Sequence, residues 1–61
     1  MRYTYEYEYR NSQGRLCKVK SGGTFGSYSE CDRVLSDACS DAVERGYTDV
    51  QGDILEVNTD D

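Results

Sequence analysis

The chain has 61 residues, twelve of them Asp or Glu against seven Lys or Arg, for a formal net charge of -5. A chain this short forms one domain at most and buries a smaller share of its surface than a larger one. Its acidity argues against general affinity for nucleic acid or anionic membrane, its lack of histidine weakens any zinc reading and removes every Ser-His or Cys-His pair, and its longest apolar runs, two residues, are far short of a membrane span.

Residues 2–10 alternate strictly, with Tyr3, Tyr5, Tyr7 and Tyr9 on one face and Thr4, Glu6, Glu8 and Arg10 on the other. Period two with aromatic residues predicts a strand. Turn formers follow in "NSQG", residues 11–14. "RLCKVK", residues 15–20, predicts a second strand closing a β-hairpin, with Cys17 and Val19 on one face and Leu16, Lys18 and Lys20 on the other. "SGGTFGS", residues 21–27, reads as a flexible loop displaying Phe25. Ser27 and Glu30 then form a capping box. Beyond it the apolar side chains fall at Cys31, Val34, Leu35, Ala38, Cys39, Ala42 and Val43, one face of an α-helix. Gly46 suits the left-handed residue past a helix end, which places the helix at about residues 28–45. "YTDVQGD", residues 47–53, reads as a turn-rich connection. "ILEVN", residues 54–58, predicts a short third strand with Leu55 and Val57 on one face, and "TDD" a frayed acidic tail. The order β-β-α-β predicts an α+β fold: a three-stranded antiparallel sheet with one helix packed across one face, as a single domain over residues 1–61.

The tyrosine face, joined by Cys17, Val19, Leu55 and Val57, is expected to receive the helix, its large rings filling the space left by small helix residues. Two other uses compete. One is a stacking platform for single-stranded nucleic acid, bordered by Arg10, Arg15, Lys18 and Lys20. The other is an aromatic patch for a protein partner. The three cysteines, Cys17, Cys31 and Cys39, read as free thiols of a reducing compartment. If Cys31 and Cys39 share a helix, about 12 Å of rise separates them, beyond the roughly 7 Å that a bridge spans.

Charge is unevenly distributed. Residues 1–27 carry five basic and two acidic side chains, whereas residues 28–61 carry ten acidic and two basic. Asp37, Asp41 and Glu44 lie at i, i+4 and i+7, a stripe on the helix side away from the apolar face. Like charges at that spacing are mildly destabilising, and Glu44 near the C-terminus opposes the macrodipole. Only Asp41 has a cation four residues later, Arg45. The spacing is close to that of neighbouring phosphates on a nucleic-acid strand, so these carboxylates suit a basic groove built for DNA or RNA. A solvated face that keeps a small protein soluble is the plainer explanation.

Small size, acidity, free thiols and absent histidine are similar to the inhibitors made by phages and other mobile elements. In joining "YTYEYEY" to "ECDRVLSDACSDAVERG", the chain resembles the small anti-CRISPR proteins, in particular the type I inhibitors, type I-C among them, that imitate DNA. The resemblance implies a non-enzymatic, cofactor-free phage protein of the host cytoplasm. Its partner would be a type I CRISPR surveillance complex, a protein assembly with a basic nucleic-acid channel, whose binding of target DNA it blocks. Direct contact with nucleic acid or membrane is not implied, and a monomer is expected unless a dimer completes the core. The basic hairpin departs from a uniformly acidic mimic, so either the acidic face alone binds or the protein docks in a mixed-charge pocket. Candidate partner-binding residues come from the charge argument alone: Asp32, Asp37, Asp41, Glu44, Asp49 and Asp53. The alternatives are the single-stranded nucleic-acid module, built on Tyr3, Tyr5, Tyr7 and Tyr9, and a phage inhibitor of another host nucleic-acid enzyme.

Overall fold

The computed structural model describes residues 1–58; the tail read at residues 59–61 lies outside them. Strands β1 (Arg2–Arg10), β2 (Leu16–Lys20) and β3 (Thr48–Val57) form one antiparallel sheet in the order β2-β1-β3. The helix α1 (Tyr28–Glu44) connects β2 to β3 and packs on β1 and β3 without reaching β2. This is the α+β arrangement expected from the sequence. No helix among the described residues is long and apolar enough to cross a membrane.

The hairpin is set by Asn11. Its Oδ1 accepts from the amides of Gln13 and Arg15 at 2.9 and 3.0 Å, and its carbonyl accepts from the Gly14 N–H at 2.9 Å. Gly14 takes φ 76°, where a side chain would be strained. The segment after β2 is not the free loop expected. Tyr3 and Phe25 exchange both backbone hydrogen bonds, at 2.9 and 2.7 Å, and the Ser21 N–H donates to the Tyr5 carbonyl at 2.9 Å. Side chains reinforce this, the Thr4 and Ser21 hydroxyls bonding to each other and Arg2 to Thr24. Phe25 is therefore pinned along β1 and half-buried rather than displayed.

Both helix ends follow local chemistry. Ser27, extended at φ -135° and ψ 149°, accepts from the Glu30 amide at 3.2 Å, but the return bond from the Glu30 carboxylate is not formed, leaving half of the expected capping box. Ser27→Ala should cost about 1 kcal/mol, read as a lower urea midpoint with unchanged slope; an unchanged midpoint would show that the cap is not limiting. At the other end, Tyr47 N–H donates to Ala42 O at 3.1 Å and Gly46 N–H to Val43 O at 3.0 Å, with Gly46 at φ 84°. This Schellman pattern turns the chain sharply into β3.

The helix buries Cys31, Leu35 and Ala42. Directly beneath lies Gly52, where a Cβ would stand 2.8 Å from Leu35 Cδ1 and 3.3 Å from Cys39 Sγ. Gly52 thus permits close packing of helix on sheet. Here the sequence reading is corrected: residues 48–53 are strand, not connection, and Gly52 pairs with Tyr7 in the middle of the ladder. The Asp49 and Gly52 signals resembled a turn because Asp49 does take a left-handed φ of 54°, in a bulge where the β1–β3 register shifts.

Register also corrects the faces. Tyr3, Tyr5 and Tyr7 stand opposite Glu56, Ile54 and Gly52, while Thr4 and Arg2 stand opposite Leu55 and Val57. Directly opposed residues share a face. Ile54 therefore lies on the tyrosine side, and Leu55 and Val57 lie on the far side of the sheet, with Leu55 45% exposed.

Candidate functional site

All seven aromatic residues of the chain gather on the helix side of the sheet. Phe25, Tyr5, Tyr7, Tyr9 and Tyr47 form one continuous row, with successive ring centroids 6.0, 6.2, 6.1 and 4.5 Å apart. Tyr28 meets Tyr3 edge-on at 5.7 Å. Strand alternation places four of these rings. Tyr47 is delivered by the turn at Gly46 and lies nearly parallel to Tyr9, at 8°. Each aromatic contact contributes about 0.5–1.5 kcal/mol beyond area burial. Five such contacts are comparable to the roughly 3–5 kcal/mol that a core this small supplies.

The row is only half covered. Tyr3, Tyr5, Tyr7, Tyr9, Cys17 and Val19 are all partly exposed, because α1 sits over β1 and β3 and leaves the β2 side of this face open. No side-chain nitrogen or oxygen among the described residues is buried without a partner, so the phenol hydroxyls reach solvent. Core and platform are thus parts of one surface: the rings support the helix along one edge and face water along the other.

Charge divides by face. Arg2, Arg10, Lys18 and Lys20 alternate with the tyrosines and their partners, so all four lie on the sheet face away from the helix. There Glu6 stands between Lys20 and Asp53, and Glu8 between Lys18 and Gln51. Of the basic border expected around the tyrosines, Arg10, Lys18 and Lys20 are therefore on the other side of the sheet from them; Arg15, which precedes β2 and continues its ladder opposite Asn11, alternates onto the side of Cys17 and Val19.

Of the six acidic candidates, three come together. Asp37, Asp41 and Glu44 form an exposed ridge on α1, spanning about 10 Å of helix rise. Asp41 Oδ2 pairs with Arg45 Nε at 3.0 Å, both side chains being more than half exposed. Asp37 and Glu44 have no ion-pair partner among the described residues, although Arg33 lies one turn before Asp37. The remaining three are dispersed. Asp32, five residues before Asp37, points about 140° away around the helix. Asp49 is held in the bulge by Arg10 Nε at 3.2 Å. Asp53 lies on the far face of the sheet, opposite Glu6. A linear sequence locates acids near one another; only the helix keeps three of them on a common ridge.

No group of three or more metal-ligating side chains converges among the described residues. Four ionisable groups shift among the described residues: Cys31, Cys39 and Tyr7, and also Tyr9, whose phenol is pushed up by burial and then by its neighbours Cys17 and Tyr47. Burial, then the neighbouring Asp32 charge, pushes the Cys31 thiol up; burial does the same to Cys39. For the Tyr7 phenol, burial leads, followed by Tyr5, Cys39 and Asp41, against a lowering by Arg45. Each neutral form is favoured in the fold. Unfolded thiols ionise near about pH 8.5 and phenols near about pH 10. The stability these groups add is full below those values and is lost as pH rises through their higher folded values. Urea midpoints should therefore fall progressively above about pH 8.5; a flat profile across that range would contradict the buried setting of Cys31.

No family model, no curated protein and no solved structure matches the chain.

Proposed function

We propose that the protein is a non-enzymatic binding inhibitor of the anti-CRISPR kind, which lodges its acidic helix ridge in the basic nucleic-acid channel of a type I CRISPR surveillance complex and prevents target DNA from entering. One observation carries this reading: Asp37, Asp41 and Glu44 share an exposed ridge of a helix anchored to the sheet. Two of the three have no cation of their own among the described residues, and the third shares one only through an exposed pair. Carboxylates held on a packed helix are pre-positioned, so a basic partner meets them without ordering cost. Opposite charge steers the encounter and makes it salt-sensitive. The molecule is narrow, 43 × 18 × 14 Å, a shape suited to an elongated channel.

The half-open tyrosine row favours a second reading, a single-stranded nucleic-acid module. It is the weaker one, because such platforms neutralise phosphates on the stacking side, and the basic side chains of β1 and β2 lie on the opposite face. The two readings separate in a gel-shift titration. The protein is added to a type I surveillance complex before labelled target DNA, beside a lane of protein and DNA alone. Loss of complex-bound DNA with no shift by the protein itself is expected. A shift by the protein alone would transfer the function to the tyrosines, and absence of both effects would remove this target.

A further inference from the structure

The two edges of the sheet differ. β2 closes one side with five residues, and Lys18 and Lys20 flank its outer backbone groups, a composition that discourages pairing with another strand. β3 closes the other side with ten residues and no lysine. Tyr3 and Tyr5 turn backbone groups toward the β2 side, where Phe25 and Ser21 bond them. By strand alternation Thr4, Glu6 and Glu8 turn theirs to Leu55, Asp53 and Gln51. Val50, Gly52, Ile54 and Glu56 therefore aim their N–H and C=O groups outward, and no hydrogen bond among the described residues takes them up. Above this edge Ser36, Cys39, Ser40 and Val43 of α1, at i, i+3, i+4 and i+7, line an open groove with Val50, and Val43 is 60% exposed. The chain exposes 4540 Å², against about 4,000 Å² for a folded monomer of 6.9 kDa. The excess is about two thirds of the roughly 800 Å² that each partner buries in a standard interface.

We propose that β3 pairs with β3 of a second copy of this chain, antiparallel about a two-fold axis through Gly52, to give one continuous sheet with both helices on the same face. This register sets Val50 opposite Ile54 of the second copy, Gln51 opposite its Asp53 and Asp49 opposite its Leu55, so no acidic side chain directly opposes another. A register centred on Asp53 would set that carboxylate against its own image. The helices fit as well. α1 lies over β1 and β3, which puts its axis about 5 Å from the two-fold and the two helix axes about 10 Å apart, the spacing of packed helices. Small side chains at Ser36, Cys39 and Ser40 suit that approach. A foreign strand on the same edge would satisfy the backbone but leave the groove above it unfilled, which favours the second copy. The acidic ridge of Asp37, Asp41 and Glu44 lies roughly a third of a turn around the helix from this stripe, so each copy keeps its ridge exposed.

The test is sedimentation equilibrium of the whole chain under reducing conditions, joined to amide hydrogen exchange read residue by residue. At about 100 μM the chain should sediment at twice its 6.9 kDa. The amides of Gly52 and Ile54 should be protected, and more so as concentration rises. A monomer at that concentration would overturn the proposal. So would a dimer whose Gly52 and Ile54 amides exchange freely, since it would use another face, and so would protection confined to Lys18 and Lys20, which would assign the pairing to β2. A monomer whose β3 edge amides gain protection only when the surveillance complex is added would give the edge to a strand of that partner and equally overturn self-pairing. Ser36→Lys, at an exposed position, sets two ammonium groups against each other near the axis; it should weaken the dimer at least about tenfold with unchanged helix content. An undiminished dimer in that variant would separate the helices and refute the arrangement. If Ser36→Lys fails to fold, Val43→Lys, on the same stripe, makes the same test.

Discussion

Leu35→Ala is expected to leave the chain largely unfolded at room temperature. Among the described residues only Cys31, Leu35 and Ala42 are buried hydrophobic residues, and Leu35 is by far the bulkiest. Truncating a buried leucine costs about 2–5 kcal/mol, against the roughly 3–5 kcal/mol that a core of this size supplies. Gly52 faces the same contact from the sheet side. An alanine there would place its Cβ 2.8 Å from Leu35 Cδ1 and 3.2 Å from Leu35 Cγ. Overpacking of this sort costs about 1–3 kcal/mol, because Leu35 has the sheet below it and its own helix above. The two substitutions should not add. In a Leu35→Ala background the new methyl has room, so the cost of Gly52→Ala should shrink or reverse, a coupling of about 1 kcal/mol or more. Urea titrations of the four chains in a fixed concentration of a stabilising osmolyte, high enough to refold the Leu35→Ala chains, followed by circular dichroism and tyrosine fluorescence, measure the cycle; simple additivity would mean that helix and sheet do not meet at this point.

The second large effect is on function. Reversing Asp37 and Asp41 to lysine should abolish inhibition while leaving the fold intact. Both side chains are exposed, and the double reversal breaks just one ion pair, the surface pair of Asp41 with Arg45, worth at most about 1 kcal/mol. In a basic channel the double reversal converts attraction into like-charge juxtaposition, which costs several kcal/mol and slows association. Reversal of Asp53, on the far face of the sheet, is the internal control: it changes net charge by the same amount per residue but leaves the ridge untouched. Inhibition should therefore survive Asp53→Lys far better than Asp37→Lys. Equal losses would mean that overall charge, not the helix ridge, is recognised, and unchanged inhibition in the double variant would sink the acidic-face mechanism. Circular dichroism and the urea midpoint guard against a folding defect.

What the amino-acid order determined by itself is whatever depends on near neighbours. Alternation of tyrosine with polar residues specifies β1, Asn11 and Gly14 specify the hairpin, and Ser27 and Gly46 delimit the helix to within a residue of its observed end. The ridge of Asp37, Asp41 and Glu44 was legible for the same reason, since helix period alone places them together. Pairing between distant strands was not legible, and it decided the rest. β3 begins six residues earlier than its apolar run, because Gly52 serves the approach of Leu35 rather than a turn. Side chains on a strand alternate, so the register with β1 alone determines that Ile54 joins the tyrosines while Leu55, Val57 and Asp53 face away. That alternation separates the lysines of β2 from the rings and removes Asp53 from the ridge. The position of α1 over β1 and β3, with β2 left uncovered, then determines which rings are core and which meet solvent. Each of these is a contact between residues far apart in the chain, and no local pattern encodes it.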